Sequence, residues 1–145
     1  MYYYKSEKEA AYWLLKLLET KLPAIPKSAV ESPEWGATIF RWADVEGGYK
    51  YAFQEPYQAI AKDGLWEPLG RLPSFAEEWA HAHSHPNNTY FSNIDLETAR
   101  GERGLVKKKT VMYMVNKTGA YWYDGRTEEL SPGARHGVLW GEFPR

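Results

Sequence analysis

Three of the chain's four histidines fall within five residues, His81-Ala82-His83-Ser84-His85, and Pro86 follows at once. That run alternates, and in a strand residues two apart point to the same face. His81, His83 and His85 therefore line one side of a short strand. Pro86 fixes φ and ends it. A loop follows, and Ser92 with Asp95 three residues on opens a helix. The chain is thus committed here to strand, loop, helix, with imidazoles at the strand end. Adjacent histidines lie about 6.6 Å apart at Cα, close enough for two rings to share one ion. His81 and His85 are about 13 Å apart by the same rise. An ordinary strand supplies two ligands, and a third must come from elsewhere.

Composition narrows the chemistry. The chain has 145 residues, which fits one domain over 1–145. It has no cysteine, which excludes disulfide scaffolds, thiolate zinc fingers and cysteine nucleophiles. Lys and Arg number 18 against 19 Asp and Glu, so binding of nucleic acid by bulk charge is not expected. The rings that make up 16% of the residues supply core area. No apolar run approaches the roughly 20 residues that cross a bilayer, so no membrane partner is expected. The N-terminus shows no cleavable secretory signal. The expected location is the cytoplasm, or the outside by a route that reads no such signal.

Local patterns place the remaining elements. Residues 6–22 read as a helix, with Ser6 and Glu9 as a capping box and Ala10, Ala11, Leu14, Leu17, Leu18 and Leu22 as its apolar stripe. Residues 34–42 and 49–54 read as strands around a Gly47-Gly48 turn. Residues 56–73 read as irregular, and 75–78 as a short helical turn. A strand spans 79–85, and the helix from Ser92 ends at Gly101 and Gly104. Residues 105–115 and 120–123 form strands around a turn at 116–119. The tail, 126–145, carries weak signals and includes His136. Strands joined by hairpins and by a helix indicate an α+β domain, a mixed β-sheet flanked by helices.

Asp95 is the best candidate for the third ligand. The loop returns the chain over the strand end, and a carboxylate in a first helical turn is favoured in its ionised form. Two imidazoles and one carboxylate on zinc leave a fourth position for water. Plainer readings stand beside this one. Ser92-x-x-Asp95 is also a simple helix cap. The histidines also fit as hydrogen-bonded core residues, or as a metal-binding surface cluster without catalysis. His81 is either a neighbour that orients a ligand or a packed side chain. Lys107 to Lys109, with Arg100 and Arg103, read as a solvated surface or a contact for an acidic partner.

His83-Ser84-His85-Pro86 followed by Ser92-x-x-Asp95 resembles the JAMM motif of the JAB/MPN metallopeptidase superfamily. The likeness spans roughly residues 6 to 125, but only this segment is specific. The loop between Pro86 and Ser92 is one residue shorter than in typical deubiquitinating members. A bacterial JAMM-like branch, found as toxin modules in polymorphic secreted proteins, is more similar. It is matched at Glu-aromatic-Gly before a strand, at Phe-Ser-x-x-Asp and at a final hairpin such as 115–120.

The resemblance implies a JAB/MPN-like, cytidine-deaminase-like architecture with Zn2+ held by His83, His85 and Asp95. It implies that Ser92 stabilises the oxyanion and that an upstream glutamate shuttles protons. Glu34, before Trp35-Gly36-Ala37, matches that glutamate; Glu31, Glu46, Glu55, Glu77 and Glu78 match less well. The implied activity is hydrolysis of an amide or isopeptide bond in a protein or peptide substrate, as a toxin or effector with a cognate immunity or delivery protein. The alternative is a non-catalytic binding module with a degenerate or metal-only site. Nucleobase deamination is disfavoured, since that chemistry usually shows a Cys-x-x-Cys pair. Trp35, Trp79, Tyr90 and Phe91 are the aromatic candidates for cleft walls.

Overall fold

The structure, a computed structural model, describes residues 2–131. Helix α1 spans Glu7–Glu19, capped by Ser6, whose Oγ accepts from the Glu9 N–H. Its buried side chains include Ala10, Ala11, Leu14, Leu15 and Leu18. Each buried leucine contributes about 1.5–3 kcal/mol, so packing rather than propensity holds this helix. The expected stripe is corrected at two points. Leu17 faces out, with Leu15 buried instead, and the helix ends at Glu19 rather than Leu22. Thr20 ends it early, its hydroxyl donating to the Leu17 carbonyl.

Among the described residues seven strands follow: β1 (Trp35–Ala43), β2 (Tyr49–Phe53), β3 (Tyr57–Gln58), β4 (Glu77–Ser84), β5 (Val111–Asn116), β6 (Gly119–Asp124) and β7 (Glu129–Leu130). They form one mixed sheet in the order β2-β1-β4-β5-β6-β7, with β3 pairing the start of β1. Among the described strands only β4 and β5 run parallel. A parallel neighbour requires a crossover, and α2 (Asn93–Ala99) lies in it. The α+β architecture expected from the sequence is present, with one helix on each face of the sheet.

Alternation sorts the two faces. Ala37, Ile39, Ala80, Ala82, Val111, Tyr113 and Val115 pack with α1, and the alanines let the helix lie close. Met112, Met114, Tyr121 and Tyr123 pack with Phe91 and Ala99 on the α2 side. The register sets Gly36 opposite His83 and Thr38 opposite His81. That pairing brings the start of β1 beside the histidine end of β4.

Other expectations are corrected. Residues 77–78 belong to β4 rather than a helical turn, since Glu77 and Glu78 pair with Arg41 and Phe40. The register shifts between Ile39 and Phe40, which leaves Trp79 as the extra residue. Residues 105–110 are not strand. There Lys108 turns in, its Nζ 3.0 Å from Glu77 Oε1 and 2.7 Å from the Glu78 carbonyl. The two-residue strands β3 and β7 lie in stretches read as irregular or weak. His136 and the remainder of the tail fall outside the described residues.

Candidate metal centre

The four candidate ligand and base residues come from separate elements. Glu34 immediately precedes β1, His83 lies in β4, His85 follows it, and Asp95 is in the first turn of α2. All four are at most 7% exposed, so their charges must be balanced locally. His83 and His85 turn to the α2 face because the strand alternates. Pro86 then lets the loop carry Asp95 back over them.

The donor atoms converge. His83 Nε2 lies 2.9 Å from His85 Nε2. Asp95 Oδ1 is 3.2 Å from His83 Nε2, and Oδ2 is 3.2 Å from His85 Nε2. Glu34 Oε2 stands 3.6 Å from His85 Nε2. Glu34, His83 and His85 form a buried group whose donor atoms all lie within 4.8 Å of one another, a group that can hold a metal ion.

The donor chemistry fits a cation. Two bare imidazole lone pairs at this separation repel unless a proton or a metal ion lies between them. A tetrahedral zinc with bonds of about 2.0–2.1 Å has edges near 3.3–3.4 Å between its ligands. The four separations above bracket that edge. Two neutral nitrogens and two carboxylate groups also match the nitrogen-and-oxygen set that zinc accepts.

The electrostatics reflect the same crowding. Burial raises the Glu34 pKa, opposed by His83 and His85 and by the Trp66 N–H. Burial pushes the His83 pKa down, but the Asp95 and Glu34 carboxylates outweigh it and raise the value overall. Burial pushes Asp95 up, yet the two histidines hold it well below the usual carboxylate range.

Surrounding residues fix this geometry. Asp95 Oδ2 accepts from the Ser92 N–H, and Ser92 Oγ accepts from the Asp95 N–H. The capping box and the candidate ligand are therefore the same carboxylate. Glu34 Oε1 accepts from the Trp66 N–H at 2.8 Å. The Trp66 indole stacks flat on His83, 9° between planes at 6.0 Å. Gly36 makes that possible, since a Cβ there would lie 2.5 Å from the indole.

A cavity of about 270 Å3 opens on the site, and its walls include Glu34, Trp66, His85, Ser92, Asp95 and Arg103. The expected aromatic walls are corrected. Trp35 packs with the α1 core, and Trp79 lies under the guanidinium of Arg41. Tyr90 and Phe91 pack with Tyr121 and Tyr123. His81 stands apart from the converging donors. Its Nε2 meets Glu78 Oε2 at 3.2 Å, and its Nδ1 meets Thr110 Oγ1 at 3.3 Å. Sequence reasoning missed Trp66, which lies in a stretch without periodicity. Its only sequence signal is a tryptophan among Gly and Pro.

Neither a family model, nor a curated protein, nor a solved structure matches the chain. Among the described residues no helix is long and apolar enough to cross a membrane.

Proposed function

We propose that the chain is a zinc-dependent metallopeptidase of the JAMM type, hydrolysing an amide or isopeptide bond in a protein or peptide. One observation carries the reading: two imidazole Nε2 atoms 2.9 Å apart face the Asp95 and Glu34 carboxylates beside a cavity. The helix, sheet, helix layering, with the histidines ending a strand that crosses over through α2, supports a JAB/MPN-like architecture.

In this proposal His83, His85 and Asp95 hold the ion. A bound zinc supplies Lewis acidity and makes water acidic near neutral pH. Glu34, fixed by the Trp66 N–H, takes the proton of the attacking water and delivers it to the leaving amine. Ser92 Oγ accepts from the Asp95 N–H and keeps its own proton to donate to the oxyanion.

Metal analysis of the purified protein should find about one zinc per chain, lost in His83→Ala and Asp95→Ala. Glu34→Gln should keep the zinc and lose peptide cleavage. A folded protein that takes up no metal sinks the proposal. A second reading has its own support: Glu34 lies close enough to the histidines to be a ligand itself. Four side-chain ligands would close the sphere and make the site structural. Loss of zinc affinity in Glu34→Gln, with no cleavage by wild type, favours that reading.

A further inference from the structure

We infer that Asn116 is a positioning residue for this metal centre, acting on His85 through the carbonyl of Thr89. The inference rests on the metal reading above. A histidine that ligates through Nε2 must carry its proton on Nδ1, and the partner of Nδ1 sets the ring's tautomer and angle. His85 Nδ1 lies 3.0 Å from the Thr89 carbonyl oxygen. A carbonyl only accepts, so Nδ1 donates and Nε2 is left bare toward His83 and Asp95. Thr89 itself sits in the exposed loop after Pro86, and something must fix its carbonyl.

Asn116 does so from the sheet. It ends β5, is buried, and donates from Nδ2 to the same Thr89 oxygen at 3.0 Å. Its amide cannot be turned over without loss. Asn116 Oδ1 accepts from the Thr118 N–H at 2.8 Å and from Thr118 Oγ1 at 2.6 Å. With its proton on Asn116, Thr118 Oγ1 accepts from the Tyr121 hydroxyl. Tyr121 thus donates to Thr118 and Thr118 to Asn116, while Asn116 and His85 both donate to the Thr89 carbonyl, which leaves Nε2 of His85 bare. A second tie pins the loop to the same hairpin, the Lys117 N–H donating to Asn88 Oδ1 at 2.9 Å. His83 differs: among the described residues its buried Nδ1 has no hydrogen-bond partner, and the Trp66 ring orients it by stacking.

The test uses the purified full chain, with zinc competed against a chromogenic chelator. Asn116→Asp keeps the acceptor for Thr118 but removes the donor to Thr89, and Asn116→Ala removes both. Zinc affinity should fall about 10–100-fold in each, the usual effect of losing a group that orients a ligand. Lys117→Ala changes an exposed side chain of the same hairpin, keeps the backbone N–H on Asn88 and should stay within about threefold of wild type. In the metal-free wild type, nitrogen NMR shifts should show His85 protonated at Nδ1. Folded Asn116 variants with wild-type affinity overturn the inference alone. Wild type that binds no zinc overturns the metal reading and this inference with it. Should neither Asn116 variant fold, a wild-type His85 whose Nδ1 carries no proton overturns it, and a ring protonated at Nδ1 supports it.

Discussion

Gly36 and Trp66 meet where the start of β1 passes under the indole. A methyl group at position 36 would lie 2.5 Å from two indole carbons and 2.6 Å from the Ala82 carbonyl. Backbone cannot give way cheaply, so the ring must move. The same residue holds Glu34 through its N–H and His83 through its face. Gly36→Ala should therefore cost about 1–3 kcal/mol in urea unfolding and also weaken zinc binding. An unfolding midpoint and zinc affinity both equal to wild type would refute the strut role of Trp66. The histidine pair was legible in the sequence because it ends a strand with a two-residue period, whereas Glu34, before Trp35-Gly36-Ala37, was picked out by the resemblance alone. Trp66 was not legible, because its partner lies thirty-two residues away and no local pattern encodes that distance.

At the scale of elements, α2 shows two readings of one sequence signal to be compatible. Ser92-x-x-Asp95 caps the helix, and the same Asp95 carboxylate faces both imidazoles. The roles of Ser92 separate by substitution. Ser92→Ala loses the cap and should cost about 1 kcal/mol, whereas Ser92→Gly should cost only a few tenths. Both lack the hydroxyl, so in the proposed hydrolysis both should lower kcat by the same factor, of order 100–1,000. Stability that tracks the cap, with kcat that does not, is the signature; kcat unchanged in both removes Ser92 from the chemistry. Helices and hairpins were readable because caps, Gly turns and alternation are local. The strands β3 and β7 were not, since two paired residues leave no period. Residues 105–110 misled because Lys108 bonds to β4 rather than extending β5.

Across the whole molecule, the sheet separates two buried polar centres. The candidate metal site lies on the α2 side and ties residues 34 to 95 together, while the α1 core is built from other side chains. Zinc at 100 times its Kd should therefore stabilise the fold by about 2.7 kcal/mol. Its removal should leave the far-UV spectrum intact and loosen the loop at 86–92 in hydrogen exchange. On the α1 side, Tyr113 donates to Glu7 Oε2, and Arg126 stands 3.8 Å from Glu7 Oε1. Burial raises the Glu7 pKa, opposed by Tyr113 and Arg126. Burial and the Glu7 carboxylate likewise hold the Tyr113 hydroxyl well above its ordinary range. The signs agree for the two groups, since each favours its protonated form in the fold. Glu7's contribution is fully present below its unfolded pKa and is lost as pH rises through the raised folded value. Tyr113's contribution is lost at alkaline pH, once the unfolded chain's tyrosine ionises near pH 10. Glu7→Gln keeps an acceptor for Tyr113 and removes the buried charge. It should match or exceed wild-type stability at pH 7, within about 1 kcal/mol, and flatten the acid side of the stability profile. A variant markedly less stable than wild type at pH 7 would instead show that the Glu7 charge, paired with Arg126, outweighs the cost of burying it.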